Sequence, residues 1–140
     1  MKKTNIIIWI MLVIAIIGFI DATYLTVNHY NGTDLVCGTS GGCTVVTTST
    51  YSQIFGIPVA LFGSLYYFFV ASLSLAYLQQ KNSLILKMLT YIPIIGFLMS
   101  GWFVYLQLYV INAICFYCMG SAITSTLLFT SSIKLFFTQK

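Results

Sequence analysis

The chain has 140 residues, of which 59% are hydrophobic and only 6% charged. Lysine and aspartate provide all of these charges, because the sequence has no arginine and no glutamate. Soluble domains are about a quarter charged, so a soluble globular protein is excluded. The composition also excludes a glycosidase-type carboxylate pair, an arginine clamp for phosphate and a site of several histidines. The lysines are scattered, so no basic face for nucleic acid is predicted.

Four long apolar runs divide the sequence. They cover residues 6–27, 57–78, 84–111 and 114–137. Each is longer than the roughly 20 residues that a helix needs to cross a hydrocarbon core of about 30 Å. The predicted fold is therefore an all-α membrane protein, in which residues 1–140 form a single domain built on a four-transmembrane-helix bundle. The last two runs almost touch, which predicts a tight helical hairpin around Asn112 and Ala113.

The distribution of lysine predicts how the bundle is oriented. The lysines precede the first run, flank the turn between the second and third runs, and end the chain: Lys2, Lys3, Lys81, Lys87, Lys134 and Lys140. The segments that face the other side, 28–56 and the turn near Asn112, have none. Because cytoplasmic loops are enriched in lysine, both termini are predicted to be cytoplasmic in an integral cell-membrane protein. A signal peptide is the alternative for the first run, but Asp21 follows it without a small-x-small cleavage site.

Four cysteines form two pairs. Cys37 and Cys43 lie in the loop 28–56, and Cys115 and Cys118 lie where the fourth run begins. By the lysine argument all four are on the non-cytoplasmic face, where disulfides persist. Structural staples are therefore one interpretation of the two pairs.

The spacing of the second pair favours a redox role. Asn112 is a good N-cap, which would put Cys115 in the first helical turn, near unpaired amides that favour a thiolate. Cys118 would follow about 4.5 Å deeper along the helix. This arrangement is typical of dithiols in which one sulfur attacks and the other resolves the mixed disulfide.

The first pair suits a shuttle of electron pairs. Cys37 and Cys43 close a short loop that is rich in glycine, so their disulfide would add little stability and exchange easily. It could meet a soluble partner and then the second pair. No haem, flavin or iron-sulfur signature is present to take the electrons onward. The sequence therefore indicates a lipid-soluble quinone, reached through the bilayer at the outer ends of the helices.

These residues together resemble the vitamin K epoxide reductase family, and in particular its small prokaryotic branch. The resemblance is carried by the loop cysteines, by Ser49 six residues after Cys43, by the segment 56–63 and by the Cys115-Phe-Tyr-Cys118 motif. It extends over essentially the whole chain. It implies a four-helix bundle around a quinone, topped by a loop with a short interfacial helix within residues 44–55.

The resemblance also implies roles for individual residues. Cys37 would exchange with a thioredoxin-fold partner outside the cytoplasm, Cys43 would exchange with Cys115, and Cys118 would react with the quinone. Ser49 would hold the loop or cap the quinone site. Three residues of the third span are further candidates to line the quinone pocket: Trp102, Phe103 and Gln107.

Two departures from the family pattern bear on the substrate. Animal members have a tyrosine four residues after the second cysteine of the motif, where this chain has Ala122. The second span, residues 57–78, lacks a counterpart of the asparagine that binds the vitamin K oxygen. Reduction of a respiratory quinone is therefore expected in preference to reduction of the vitamin K epoxide, and the quinone could be of the menaquinone, ubiquinone or vitamin K type. The fused thioredoxin-like domain of many bacterial relatives is not in these 140 residues, so a separate partner chain is expected.

Several alternatives stay open at the level of sequence. Asp21 could be water-exposed or hydrogen-bonded near the outer end of its helix, or could deliver protons to the quinone. His29 could be a solvated interfacial residue or a proton relay. The whole protein could be a non-catalytic membrane scaffold or small transporter with structural disulfides. A four-thiolate zinc site is disfavoured because acids that would support the ligands are absent, so no metal is predicted.

Overall fold

The computed structural model describes residues 2–33 and 42–140. Four long helices form the molecule: α1 (Lys2–Asn31), α3 (Val59–Gln80), α4 (Ser83–Tyr105) and α5 (Phe116–Gln139). The short helix α2 (Gly42–Thr48) and a 3₁₀ turn (Thr50–Ser52) lie between α1 and α3. They are followed by an antiparallel pair of two-residue strands, β1 (Gln53–Ile54) and β2 (Ile57–Pro58). A π-helical segment (Leu106–Ile111) continues α4.

Among the described residues, three helical segments are long and apolar enough to cross a membrane: Lys2–Asn31, Val59–Gln80 and Ser83–Ile111. α5 has 24 residues, which is sufficient length, but its serines and threonines make it less apolar. Many of these hydroxyls donate to carbonyl groups of their own helix, as Thr126, Thr130 and Ser131 do. Length and composition thus support three of the four predicted spans.

The strand pair is the one departure from the predicted all-α architecture among the described residues. It is tightened by Phe55 and Gly56, whose φ angles are 52° and 79°. Two consecutive positive φ angles match the right-handed twist of paired strands, which explains why two-residue loops adopt them. The hairpin closes the stretch between α2 and the start of α3, and its tip residue Phe55 is fully exposed.

Antiparallel packing puts the lysines at one end of the bundle. α1 packs along α3 and α5, and α4 packs along α5 and more loosely on α3. Lys3 and Lys134 line one shallow groove where the start of α1 meets the end of α5. Gln139 donates to the Thr90 hydroxyl at 3.2 Å, which ties the end of α5 to the first half of α4. The opposite end contains α2, the hairpin and the link from α4 to α5.

Tyr67 joins three helices in the centre of the bundle. A Cβ on Gly18 would collide with the Tyr67 ring, so the glycine lets α1 and α3 approach closely. The Tyr67 hydroxyl donates to the Ser121 carbonyl oxygen at 2.7 Å and lies 2.9 Å from the Thr124 hydroxyl. These contacts fix the first two turns of α5 against α3.

Candidate dithiol site and its cavity

Cys115 lies immediately before α5 and serves as its N-cap. The Cys115 sulfur accepts a hydrogen bond from the Cys118 backbone N-H at 3.4 Å. Asn112 does not cap this helix, which corrects the prediction. It ends the π-helical segment in the left-handed region, at a φ of 55°, so the chain is still turning at Asn112 and α5 begins only at Phe116.

The surroundings of Cys115 favour its thiolate. The Cys118 thiol donates to the Cys115 sulfur, and the backbone N-H groups of Cys118 and Tyr117 donate as well. Together they hold the pKa of Cys115 below the ordinary value of a thiol, although burial and the charge of Asp21 act in the opposite direction. Cys115 is therefore the better nucleophile and leaving group of the pair.

Gln107 holds the link between α4 and α5. Its side chain is 3% exposed, and its Oε1 accepts from the Cys115 backbone N-H at 3.2 Å. Its main-chain carbonyl accepts from the Ala113 N-H at 3.2 Å. Gln107 also lines the cavity described below. The sequence predicted only the lining role.

Cys43 lies against the second cysteine pair. Both Cys43 and Cys115 are fully buried, and they share an apolar cluster with Leu25 and Val46. Cys43 is in a disulfide, whereas Cys115 and Cys118 are free thiols. The predicted role of Cys37 falls outside the described residues.

Gly42 makes this proximity possible. A Cβ at Gly42 would collide with the carbonyl oxygen of Ile114, the residue before Cys115. The obstacle is backbone, which cannot swing aside as a flexible side chain could. Glycine at the start of α2 therefore lets the backbone that carries Cys43 approach the backbone that carries Cys115.

A cavity of about 330 Å³ lies between the long helices, beneath α2. Of the predicted site residues, Cys118, Ser49, Phe103 and Gln107 line it. Trp102 does not, and the prediction for it is corrected: it is 56% exposed. Adjacent helical positions point about 100° apart, so Phe103 faces the cavity while Trp102 faces outward. The volume is within the range of small-molecule sites.

Ser49 both supports the loop and lines the cavity. Its hydroxyl donates to the Val46 carbonyl oxygen at 2.8 Å, and it precedes the 3₁₀ turn. In this position Ser49 could both hold the loop and contact a ligand in the cavity, the two roles that the family resemblance implied.

Asp21 and His29 lie on α1 near the site. α1 continues ten residues beyond Asp21, to Asn31, so Asp21 is not at the outer end as expected. Its Oδ2 atom is buried without a hydrogen-bond partner among the described residues, although the residue as a whole is only partly buried. His29 lines the cavity, and its Nε2 lies 3.2 Å from the Gln53 side-chain nitrogen.

Two cavity-lining residues were missed at the level of sequence. Tyr66 and Ser125 line the cavity, and their hydroxyl groups are buried with no hydrogen-bond partner in the described part of the chain. The available signals were a tyrosine pair inside an apolar run and the unusual number of hydroxyl residues in the fourth run. Neither signal says which hydroxyl lacks a partner. Within residues 2–33 and 42–140, no group of three or more potential ligands is positioned to hold a metal ion.

These features define a class: a helical membrane protein with a dithiol at one end of its bundle, a disulfide-bonded cysteine beside the dithiol, and an apolar cavity that reaches it. The model of the vitamin K epoxide reductase family matches residues 9–133. The chain belongs to this family, as the motifs predicted, and it is a multi-pass membrane protein.

A named relative agrees with this assignment. The chain is 34% identical over 124 residues to the thiol-disulfide oxidoreductase LTO1 of Arabidopsis thaliana. The match covers 82% of this chain and 33% of the relative, so the chain spans about a third of that protein's length.

Proposed function

We propose that this protein is a membrane thiol-disulfide oxidoreductase that supports disulfide formation outside the cytoplasm. Residues 1–140 act as one membrane domain. A thioredoxin-fold partner gives up an electron pair at Cys37 and Cys43, and the pair passes through Cys115 and Cys118 to a quinone of the menaquinone or ubiquinone type. The similarity to a thiol-disulfide oxidoreductase supports the chemistry.

The first exchange takes place at the loop pair. A thiolate of the reduced partner attacks the sulfur of Cys37 in a Cys37-Cys43 disulfide, and Cys43 leaves as a thiolate. The second thiol of the partner then displaces Cys37, so the partner is oxidised and the loop pair is reduced. The disulfide state of Cys43 is consistent with a loop pair that is ready to accept electrons.

The second exchange transfers the electron pair inward. The Cys43 thiolate attacks Cys115 in a Cys115-Cys118 disulfide, and Cys118 leaves. Cys37 then attacks Cys43, which releases Cys115 and restores the loop disulfide. The shared buried cluster of Cys43 and Cys115 supports this step. The low pKa of Cys115 makes it a good leaving group in the release.

In the last step a quinone oxidises the Cys115-Cys118 dithiol to a disulfide. A quinone accepts two electrons and two protons. Cys115 and Cys118 supply both as their disulfide forms again. Cys118 lines the cavity, so its sulfur meets the acceptor, while Cys115 stays buried behind it. The largely apolar wall, with Phe103 and Val104 of α4, suits an apolar ring.

The orientation follows from the lysines, with α5 as the fourth span. Both chain termini are at the lysine end, on the cytoplasmic side. All four cysteines are then on the extracytoplasmic side, where a partner can be oxidised without competition from cytosolic reductants.

One observation carries the proposal: Cys43 and Cys115 lie in one buried cluster, and Cys118 opens onto the cavity. The test uses the purified protein, a reduced thioredoxin-fold protein and a soluble quinone. Quinone loss should follow partner oxidation and should disappear in the Cys115→Ala, Cys118→Ala double variant. Thr126→Ala, on the exposed face of the same helix, is the matched control. Quinone loss that persists in the double variant would contradict the mechanism.

A further inference from the structure

Three side-chain polar atoms in the described residues are buried without a hydrogen-bond partner, and two of them face the same cavity. They are the hydroxyl groups of Tyr66 on α3 and Ser125 on α5. Ser125 is 1% exposed. A buried hydroxyl without a partner is costly, so natural structures rarely keep one that has no use.

The orphaned state of Ser125 has a definite cause. Hydroxyls in helices usually donate to the carbonyl four residues earlier, which here is the carbonyl of Ser121. That oxygen already accepts from the Tyr67 hydroxyl at 2.7 Å and from the Thr124 hydroxyl at 2.8 Å. Ser132, one heptad further along the same face, instead donates to the Phe129 carbonyl at 2.8 Å. Packing against Tyr67 thus leaves the Ser125 hydroxyl available to the cavity.

Tyr66 reaches the same place from α3. Its hydroxyl lies close to the Ser125 hydroxyl. The geometry between the two is not that of a hydrogen bond, so neither has a partner among the described residues. A Cβ on Gly96 of α4 would collide with the Tyr66 hydroxyl, so this glycine makes room for it. Two donors from different helices therefore converge on one point in the cavity wall.

The position of this point relative to Cys118 suggests its ligand. Ser125 is seven residues after Cys118, which is about 10.5 Å along the helix. A van der Waals contact at the sulfur takes up roughly 3.5 Å of this distance, and a hydrogen bond at the hydroxyls takes up about 2.8 Å. The remainder, about 4.2 Å, is close to the distance from a carbon on one side of a quinone ring to the oxygen on the opposite side. A para-quinone, with oxygens on opposite sides of its ring, fits this separation.

We infer that the Tyr66 and Ser125 hydroxyls bind the ring oxygen of a para-quinone that is remote from Cys118, which makes them specificity-determining residues of the quinone site. This inference rests on the proposed function and adds to it the side chains that bind the ring oxygen remote from Cys118. Hydrogen bonds at this oxygen stabilise the negative charge that it gains on reduction. They also hold the ring with its opposite edge against the Cys118 sulfur.

The test measures binding apart from turnover. In a Cys115→Ser, Cys118→Ser background, which cannot transfer electrons, the dissociation constant of duroquinone is measured for Tyr66→Phe and for Ser125→Ala. Each variant should bind about tenfold more weakly, the loss expected for one hydrogen bond. Tyr77→Phe and Ser132→Ala are controls on the same two helices, outside the cavity, and should bind as the background does.

Two further measurements separate ligand recognition from structural damage. Because the hydroxyls have no partner among the described residues, both variants should unfold at the same temperature as the background or higher, whereas Ser132→Ala loses a hydrogen bond. In the infrared spectrum, one carbonyl band of bound duroquinone should lie at lower frequency and should move back in both variants.

The outcomes separate the two proposals. Unchanged duroquinone affinity and an unchanged carbonyl band in both variants would overturn the inference and leave the proposed function intact. Weaker binding with a clear drop in the unfolding temperature would assign the hydroxyls a structural role and would also overturn it. Absence of duroquinone binding in the background itself would count against the quinone step of the proposed function.

Discussion

The chemistry of the site depends first on the contact between the two sulfurs of the motif. The Cys118 thiol donates to the Cys115 sulfur, and the Cys118 backbone N-H, 3.4 Å from that sulfur, donates too. These contacts outweigh burial and the charge of Asp21, so the pKa of Cys115 is lowered. Spacing alone brings the two cysteines near each other, but the direction of the effect depends on Cys115 being the N-cap.

Replacing Cys118 tests which group lowers the pKa. In a chain with Cys37 and Cys43 changed to alanine, Cys118→Ala removes the side-chain donor, so the pKa of Cys115 should rise. Cys118→Ser keeps a hydroxyl donor and should hold the pKa lower. The ultraviolet absorbance of the thiolate, followed against pH, should therefore appear at higher pH in the alanine variant. Identical midpoints would show that the Cys118 thiol has no part in the shift.

Gln107 shows how one residue can serve two purposes. Its Oε1 accepts from the backbone of Cys115, and its side chain lines the cavity. A buried backbone N-H without an acceptor is costly. By accepting from the Cys115 N-H, Gln107 stabilises the conformation of the link that places Cys115 directly before α5. Gln107 was predicted to line the cavity because of its place in the third span. Its contact with the Cys115 backbone depends on the fold of the link between α4 and α5, so the sequence did not indicate it.

At the scale of elements, the approach of α2 to the link before α5 is decisive. Gly42 lies against the Ile114 carbonyl oxygen, and this contact brings Cys43 beside Cys115. The π-helical segment contributes from the other side, because it ends at Asn112 in the left-handed region and turns the chain toward α2. Such segments are frequent at functional sites.

Gly42→Ala should push α2 away from the link and slow the exchange between Cys43 and Cys115. The assay uses a Cys37→Ala, Cys118→Ala chain, in which these are the two remaining cysteines, and follows their oxidation to a disulfide. We expect a rate at least roughly tenfold lower, because small displacements of reacting atoms have large effects.

Gly101→Ala is the control for this experiment. A Cβ at Gly101 meets nothing within 4 Å, so disulfide formation should be unchanged and the helix should gain about 1 kcal/mol of stability. Equal rates in the Gly42 and Gly101 variants would contradict the positioning role of Gly42.

At the scale of the whole molecule, the lysines and the described cysteines are at opposite ends. The lysines collect at one end because the long helices run antiparallel, and the dithiol, α2 and the hairpin lie at the other. Since positive loops stay in the cytoplasm, the proposed orientation places the lysine end there. Under this proposal the compartment of the chemistry depends on residues that lie far from the site.

Labelling in intact cells tests this orientation. In a chain with all four native cysteines replaced by alanine, Thr50→Cys should react with a membrane-impermeant maleimide, because Thr50 is exposed near α2. Gln80→Cys, exposed at the lysine end, should react only after the membrane is permeabilised. The reverse pattern of labelling would place the cysteines on the cytosolic side and would contradict the proposed direction of electron flow.

The sequence by itself determined the features that depend on local composition and spacing. The apolar runs marked the helices, and the lysines marked one end of the bundle. Ser49, Phe103 and Gln107, which were expected at a quinone site, line the same cavity as Cys118, and their contact with a quinone stays a prediction. The length of an apolar run and the position of its flanking charges can be recognised without tertiary contacts, because they depend on how each segment interacts with the membrane.

Only the tertiary structure decided which side chains have partners. Trp102 faces outward although its neighbour faces the cavity, and Asn112 ends one element where it was expected to begin the next. Ser125 has no partner in the described part of the chain, because the carbonyl of Ser121 already accepts from Thr124 and from Tyr67, which is 58 residues earlier in the chain. A hydrogen bond of this kind depends on helices that are distant in sequence, so no local pattern could reveal it.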